Sequence, residues 1–297
     1  MTVSLIGLPI EALDTPVLLV DLAVLERNLE RMRRVIIDEA GVRWRPHTKG
    51  MKTPALAHML QKAGAQGITC AKLAEAEIMV ANGIQDILIA NQVVGPQKAA
   101  RLARLQRTTQ VLSCVDSEQG TAFLGEAARS EGTRIPVVLE LNTGMNRAGV
   151  LPGDDTVALA KKIDQIDGVD LCGLMTWESP AAKEPDLEGK KAASAQMLGS
   201  LVDSAEACRA AGLNMEIITC GGTLTYWYSA FHPGITEMQA GGGIYGDAMY
   251  CHRFGVEHEF ALSIMSTVTS RPTPTRIICD AGKKTMSADM ADPIPLG

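Results

Sequence analysis

The stretch Val42-Arg43-Trp44-Arg45-Pro46-His47-Thr48-Lys49 begins a regular alternation of strand-like and helix-like segments in this chain. Pro46 lacks a backbone N–H and restricts Arg45 to extended conformations, which predicts a strand. Residues two apart on a strand share a face, so Arg45, His47 and Lys49 are predicted to point the same way. A lysine at the carboxyl end of such a strand is a candidate Schiff-base nucleophile. A solvent-exposed edge strand explains the same residues equally well.

From this strand onward, a short apolar run followed by a longer amphipathic segment recurs eight times. This pattern is typical of βα units around a parallel sheet. The predicted strands cover residues 42–48, 67–70, 86–90, 110–115, 135–141, 171–176, 216–219 and 236–239. The clearest predicted helices cover residues 54–63, 72–82, 96–107, 117–131, 155–164 and 190–211.

Eight such units fit an α/β fold of one of two kinds, a (β/α)8 TIM barrel or a doubly wound open sheet. Polar residues that follow the predicted strands favour the barrel, because a barrel gathers all of its strand ends at one face. An open sheet gathers only those near its switch point. The residues in question include Lys49, Lys72, Asn91, Asp116, Asn142, Arg147, Thr176 and Trp177.

Segments on both sides of the eight units predict an incomplete flanking β domain. Residues 15–21 predict a strand and residues 22–37 a helix, and residues 260–269 and 276–279 predict two more strands. We therefore expect a β-domain segment at 1–21, the barrel at 22–258, and the start of a C-terminal β domain at 259–297. These strands are too few to close that domain, so we expect it to be truncated.

Composition narrows the classes of function. The chain has 297 residues, 46% of them hydrophobic, which is enough for a large core. A formal net charge of -6 argues against nucleic-acid and polybasic membrane partners. Neither a signal peptide nor a membrane-spanning run is evident, which predicts a cytoplasmic protein. The seven cysteines predict buried reduced thiols, and five scattered histidines predict no metal site in the chain.

Two glycine-rich stretches, Gly221-Gly222-Thr223 and Gly241-Gly242-Gly243-Ile244-Tyr245, follow the seventh and eighth predicted strands. Loops at these positions of a barrel often bind phosphate through backbone N–H groups, to which Thr223 and Tyr245 would add hydroxyls. For either loop alone, glycines that permit a tight turn are the alternative. The spacing Gly241-x-Gly243-x-x-Gly246 also matches a dinucleotide fingerprint, but neither a clear helix nor the expected acid follows it.

A lysine at the first strand and a phosphate site after the last two predict that the ligand is a phosphorylated aldehyde. Pyridoxal 5′-phosphate (PLP) fits that description. Lys49 must lose a proton before it can attack, and Arg45, other cations or partial desolvation would lower its pKa.

Six motifs spread along the chain carry a family resemblance. They are Asp14-Thr15-Pro16, Arg45-Pro46-His47-Thr48-Lys49, Asn91-Gln92-Val93-Val94-Gly95-Pro96, Gly144-Met145-Asn146-Arg147-Ala148-Gly149-Val150, Gly221-Gly222-Thr223 and Glu237-Met238-Gln239-Ala240-Gly241. In combination they resemble the D-threonine aldolase and D-serine dehydratase family, whose fold is of the alanine racemase type. The resemblance covers essentially the whole chain from Leu13 onward.

The resemblance implies that Lys49 bonds the PLP aldehyde and that Arg147 donates a hydrogen bond to the pyridine nitrogen. His47 is a candidate catalytic residue, either as a proton shuttle or as a residue that orients its neighbours. Trp177-Glu178 stands where the family usually has a tyrosine-histidine pair. The full set of predicted cofactor-binding residues is Lys49, Arg147, Trp177, Gly221, Gly222, Thr223, Gly241, Gly242 and Tyr245.

The implied activity is a PLP-dependent lyase that cleaves a D-threonine-like substrate to glycine and an aldehyde. The alternatives are a D-serine-type dehydratase, an amino-acid racemase and a non-catalytic PLP-binding protein. The family also implies a homodimer and a divalent metal. The metal ligands, a histidine and an acid or cysteine two residues apart, would lie beyond Gly297.

Overall fold

The protein folds into two compact units. The computed structural model describes residues 5–287 and 292–295. One unit comprises Leu29–Gly243, and the other combines Met1–Asn28 with Ile244–Gly297. These contact-based limits differ from the predicted domain limits at residues 21 and 258, which stay a prediction.

The described residues contain twelve strands and nine α-helices. The strands are β1 (Val17–Val20), β2 (Arg43–Trp44), β3 (Ile68–Cys70), β4 (Ile87–Gln92), β5 (Val111–Val115), β6 (Ile135–Glu140), β7 (Val169–Met175), β8 (Ile217–Cys220), β9 (Glu237–Met238), β10 (Leu262–Met265), β11 (Val268–Thr273) and β12 (Arg276–Cys279). The helices are α1 (Leu22–Arg33), α2 (Pro54–Lys62), α3 (Leu73–Ala81), α4 (Pro96–Leu105), α5 (Glu118–Glu131), α6 (Asp154–Asp164), α7 (Leu187–Ala210), α8 (Tyr226–Ser229) and α9 (Ala248–Phe254). A π-helical turn, Arg34–Glu39, extends α1.

Every predicted barrel strand and every clearly predicted barrel helix is present, with ends shifted by a few residues. The helix starts have local causes. Pro54 and Pro96 occupy first-turn positions, where a missing N–H costs nothing. Ser117 and Asp186 cap α5 and α7 by accepting the N–H of the residue three positions on. The short α8 and α9 were not predicted.

The parallel sheet closes into a barrel. Its strands follow the order β2-β9-β8-β7-β6-β5-β4-β3, and a parallel bridge between His47 and Thr69 joins the two ends. The Thr69 N–H donates to the Pro46 carbonyl at 2.9 Å, and the Thr48 N–H donates to the Thr69 carbonyl at 2.8 Å. An open sheet would leave two unpaired edges, so this closure confirms the predicted (β/α)8 TIM barrel.

The first barrel strand is shorter than predicted. Regular pairing covers only Arg43–Trp44, because Pro46 cannot donate to the ladder. Extended hydrogen bonding to the last barrel strand nevertheless continues, since the N–H groups of Arg45 and His47 donate to the carbonyls of Met238 and Gln239, each at 2.9 Å. The backbone of residues 43–47, which leads to Lys49, is therefore hydrogen-bonded to the last barrel strand and the residue after it.

Apolar side chains from neighbouring strands fill a buried cluster, which comprises Leu88, Leu112, Cys114, Val138, Met175 and Ile217. All seven cysteines are free, as predicted, and four of them are buried, whereas Cys279 on β12 is exposed. None of the helices in the described ranges is both long enough and apolar enough to cross a bilayer.

In the other unit, β1 pairs with β10 and β11 pairs with β12, both antiparallel. The single strand predicted over residues 260–269 is divided into β10 and β11. The Asp280 carboxylate accepts hydrogen bonds from the Ser266 hydroxyl at 2.9 Å and the Thr267 N–H at 3.0 Å. These bonds fix the backbone between the two strands.

Gly199 lies in the middle of α7, where an added methyl group meets no atom within 4 Å. We expect Gly199→Ala to raise the free energy of unfolding by about 0.5–1 kcal/mol, because alanine loses less backbone entropy in a helix. Gly212→Ala is the matched control, since its site is equally open but has a φ of +83°. Urea unfolding should show that Gly212→Ala is destabilising, because alanine is strained at a positive φ. Equal effects of Gly199→Ala and Gly212→Ala would contradict the argument from backbone conformation.

Candidate active site

Lys49 lies just beyond β2, in a turn whose backbone is held on both sides. The Thr48 hydroxyl donates to the Thr69 carbonyl at 3.0 Å. The Lys52 N–H donates to the Thr48 carbonyl at 2.8 Å, and the Lys49 N–H donates to Nδ1 of His47 at 3.2 Å. The turn thus presents Lys49 where the carboxyl ends of the barrel strands meet, which is where barrel enzymes place their chemistry.

The loop after β9 packs directly on the main chain of His47. A Cβ atom built on Gly241 would lie 2.4 Å from the carbonyl oxygen of His47 and 2.5 Å from its nitrogen. Backbone atoms held by ladder hydrogen bonds cannot move away from such a clash cheaply. Gly241 therefore acts through close approach to the strand that carries Lys49.

Two cationic side chains lie against the ring of Trp177. Lys49 Nζ is 4.8 Å from the ring centroid, and Cζ of Arg147 is 5.1 Å from it. Although Lys49 as a whole residue is exposed, withdrawal of its amine from water lowers its pKa, and the charge of Arg147 lowers it further. Both effects favour the neutral, nucleophilic amine.

His47 is held neutral. Burial of the imidazole, followed by the charges of Lys49 and Arg147, lowers the pKa of His47 to about 3. Its Nδ1 accepts the Lys49 N–H, so the proton of the neutral ring belongs on Nε2. Of the two predicted roles, this geometry favours orientation of the Lys49 turn.

The low pKa of His47 makes the free energy of unfolding depend on pH in a predictable direction. The unfolded histidine titrates near its ordinary value and the folded one near 3, so the unfolded chain binds more protons between those values. Stability is therefore lost as pH falls through this window. We expect the free energy of unfolding of His47→Gln to fall less steeply than that of wild type between about pH 7 and about pH 5, by at most about 1.4 kcal/mol per pH unit. Parallel urea-unfolding profiles would contradict the assignment.

Glu140, the last residue of β6, anchors Arg147. Its Oε1 accepts from Nη2 of Arg147 at 3.1 Å, and its Oε2 accepts from Nε2 of Gln92 at 2.6 Å and from the Cys114 thiol at 3.3 Å. The carboxylate is buried, whereas the Arg147 side chain is 48% exposed. Neither Glu140 nor Gln92 was among the predicted site residues. Gln92 lies in a motif that carries the family resemblance, and Glu140 is an acid that ends an otherwise apolar strand.

Asn142 shapes the loop that carries Arg147. Its Oδ1 accepts from the N–H groups of Gly144 at 3.2 Å and Asn146 at 2.9 Å. Farther along, the Gly149 N–H donates to the Asp116 carboxylate at 3.2 Å. Asn142 and Asp116, which the sequence placed at strand ends, thus bind this loop's backbone.

Arg45, which was predicted to share a strand face with Lys49, belongs to a different cluster, and Lys49 lies in a turn beyond the end of β2 at Trp44. Its side chain is 1% exposed, and it pairs with Glu237 at 2.9 Å and with Asp86 at 2.6 Å. Asp86 immediately precedes β4 and Glu237 begins β9, so this cluster lies toward the amino ends of the strands. The expectation that Arg45 depresses the pKa of Lys49 is thus corrected, because the cation that does so is Arg147.

The two glycine-rich loops of the barrel meet at Thr223. A Cβ atom built on Gly242 would lie 3.5 Å from the Thr223 hydroxyl. Thr223 is 7% exposed, and within residues 5–287 neither its hydroxyl nor the N–H groups of Gly222 and Thr223 donate to a protein acceptor. We call Gly222, Thr223 and Gly242 the phosphate cradle, since unsatisfied donors in a glycine loop suit an anion.

Residues after β7 support the loop that contributes Gly222. A Cβ atom on Gly222 would lie 3.0 Å from Nε1 of Trp177. The Gly221 N–H donates to Glu178 at 2.9 Å, so this predicted donor is already used. Tyr245 falls in the other compact unit, and its predicted contact with a cofactor stays a prediction.

At one end of a closed (β/α)8 barrel, the site combines a lysine whose pKa is lowered with a glycine loop whose N–H groups at Gly222 and Thr223 donate to no acceptor within residues 5–287. The chain belongs to the family described as alanine racemase, N-terminal domain, whose model matches residues 20–249. Residues 261–296 match a second model, described as "Putative serine dehydratase domain".

The chain is also similar in sequence and in structure to named proteins. The chain is 34% identical to a D-threonine aldolase from Arthrobacter sp, over 98% of the chain and 77% of that protein. It is 31% identical to a 3-hydroxy-D-aspartate aldolase from Paracoccus denitrificans, over 99% of the chain and 78% of that protein. The crystal structure of D-threonine aldolase from Filomicrobium marinum superposes with a TM-score of 0.91 at 35% identity, covering 95% of this chain and 76% of that one.

A divalent metal needs a set of oxygen, nitrogen or sulfur donors. In the ranges 5–287 and 292–295, no group of three histidine, cysteine, aspartate or glutamate side chains is arranged to hold one.

Proposed function

We propose that this protein is a PLP-dependent lyase that cleaves D-configured β-hydroxy amino acids to glycine and an aldehyde. The observation that carries the proposal is the grouping of Lys49, Arg147 and Gly222 around the ring of Trp177. These three positions suit the aldehyde, the pyridine nitrogen and the phosphate of one small molecule. The aldolases among the relatives support the reaction class.

The residues present fit PLP. Lys49 has a lowered pKa and would bond the aldehyde, Arg147 would donate to the pyridine nitrogen, and the phosphate cradle would bind the phosphate. When bound, PLP supplies an electron sink for the pair of electrons released at the substrate Cα. The protein supplies the position of each group.

With Arg147 beside the pyridine nitrogen, the cofactor ring would be a weaker electron sink than a ring with a protonated nitrogen. A guanidinium has donors only and cannot accept a hydrogen bond, so Arg147 would disfavour a proton on the pyridine nitrogen. Glu140 holds one edge of the guanidinium, which leaves other N–H groups as donors. Such an arrangement favours carbon–carbon cleavage over reactions that need a long-lived carbanion.

A product assay tests the proposal. The purified protein with PLP is incubated separately with the D and L isomers of threonine, allothreonine and serine. We expect glycine and acetaldehyde from a D isomer of threonine or allothreonine, and no product from the L isomers. Cleavage of the L isomers alone, or loss of configuration without cleavage, would overturn the proposal, the latter in favour of a racemase.

Dehydration is the second candidate, and the match of residues 261–296 to a dehydratase domain favours it specifically. In that reaction a base removes the α-proton and the β-hydroxyl leaves as water. The same assay would then yield a 2-oxo acid and ammonia in place of glycine and an aldehyde. PLP binding with no product from any substrate would instead indicate a non-catalytic cofactor-binding protein.

We also propose a homodimer located in the cytoplasm. Seven free cysteines, one of them exposed, suit a reducing compartment. The dimer follows from the family resemblance, and light scattering on the purified protein tests it. A monomeric mass across the working concentration range would overturn it.

A further inference from the structure

The side chain of Glu178 is a buried carboxylate without a compensating cation. Glu178 is 0% exposed, and no lysine, arginine or histidine of the described residues forms an ion pair with it. Both of its oxygens accept hydrogen bonds: Oε2 from the Gly221 N–H at 2.9 Å and Oε1 from the Thr225 hydroxyl at 2.7 Å. An unpaired buried charge is costly, so its presence here needs a reason.

The two partners of Glu178 flank the phosphate cradle in sequence. Gly221 immediately precedes Gly222, and the Thr225 N–H closes the same turn by donating to the Gly222 carbonyl at 3.2 Å. Glu178 therefore fixes the turn at both ends. With the Gly221 N–H occupied, the next two N–H groups remain available to a ligand.

The negative charge of Glu178 disfavours the binding of a phosphate in the cradle. Next to burial, its charge is the main cause that raises the pKa of the Cys220 thiol, just before the loop, and that of the Tyr228 hydroxyl, just after it. The negative field of Glu178 is thus felt on both sides of the cradle. A phosphate dianion bound to Gly222 and Thr223 would be repelled by it.

We propose that Glu178 is a positioning residue that sets how tightly the cradle holds the cofactor phosphate. Its hydrogen bonds organise the loop, while its charge limits the affinity, which would allow the cofactor to exchange. The inference rests on the proposed function, because it takes PLP to be the ligand. It predicts opposite effects for a substitution that removes only the charge and one that also removes the hydrogen bonds.

The test compares PLP with pyridoxal, which has the same ring and aldehyde but no phosphate. Dissociation constants of both are measured by fluorescence titration of the full-length protein after dialysis against hydroxylamine, for wild type, Glu178→Gln and Glu178→Ala. The ratio of the pyridoxal constant to the PLP constant isolates the phosphate contribution. Pyridoxal masks part of its aldehyde as an internal hemiacetal, but this factor is identical for every variant and cancels.

We expect Glu178→Gln to raise this ratio about tenfold, because glutamine removes the charge but can keep both contacts. Its amide oxygen can accept the Gly221 N–H, and its amide nitrogen can donate to the Thr225 hydroxyl oxygen, whose own proton can go to the Gly222 carbonyl. Glu178→Ala removes the same charge but should lower the ratio about tenfold, because the loss of both hydrogen bonds disorders the loop and outweighs the relief of repulsion. Glu184→Gln is the control for charge removal, since Glu184 is exposed. It should leave the ratio unchanged.

An unchanged or lowered ratio for Glu178→Gln overturns the inference, whether or not Glu178→Ala folds. A rise for Glu184→Gln equal to that for Glu178→Gln also overturns it, because the effect would then be one of net charge. If wild type binds PLP no more tightly than pyridoxal, the proposed cofactor site fails and the inference with it. If wild type strongly prefers PLP and Glu178→Gln has the same ratio of dissociation constants as wild type, the cofactor site stands and only the inference about Glu178 fails.

Discussion

Lys49→Ala is expected to abolish covalent retention of PLP and to lower lyase activity by at least about 10³-fold. Lys49 is the lysine whose amine lies beside Arg147 and Trp177 and whose pKa both burial and charge depress. Loss of the visible absorbance of the bound cofactor after dialysis, together with steady-state assays of aldehyde release, measures the two effects.

Lys52→Ala is the matched control, because Lys52 lies three residues on but forms an ion pair with Glu75. It should retain both the absorbance and the activity. Borohydride reduction of wild type should fix the cofactor to a peptide containing Lys49. Recovery of the cofactor on Lys52, Lys72, Lys283 or Lys284 would contradict the assignment of the nucleophile, even if Lys49→Ala were inactive.

The barrel was predictable because its signals are local. Apolar runs of strand length alternate with amphipathic segments, and proline or capping residues mark several helix starts, such as Ser117 ahead of α5. The lysine and the glycine loops could be placed for a related reason. Once eight units are counted, every residue at a strand's carboxyl end is assigned to the same face of the molecule.

The supporting residues could not be predicted, because their roles depend on contacts between distant parts of the chain. Glu140 meets Gln92 and Arg147 only after β4 and β6 are brought into one sheet. Glu178 is recognisable as a loop anchor only when Gly221 lies beside it. Arg45 shows the same limit: its spacing from Lys49 is a local signal, but its carboxylate partners are distant in the chain and hold it in another cluster.

Gly241→Ala tests whether the Lys49 turn depends on close packing of the loop after β9. The added methyl carbon would lie 2.4 Å from the His47 carbonyl oxygen, well inside van der Waals contact. Since the His47 N–H donates to the Gln239 carbonyl, the strand and the loop cannot separate without breaking hydrogen bonds between the first and last strands of the barrel. We expect a loss of about 1–3 kcal/mol in the free energy of unfolding, measured in urea, and a matching loss of PLP affinity.

Gly50→Ala separates this steric effect from the general effect of replacing glycine. Gly50 adjoins Lys49, and an added methyl group there meets no atom within 4 Å. Both substitutions reduce the entropy of the unfolded chain alike, so the difference between them reports the contact with His47. If the two variants unfold at the same denaturant concentration and bind PLP equally, the contact between Gly241 and the His47 backbone can adjust to a methyl group. The position of Lys49 would then depend on the hydrogen bonds of the turn, such as those between Thr48 and Thr69, and not on this contact.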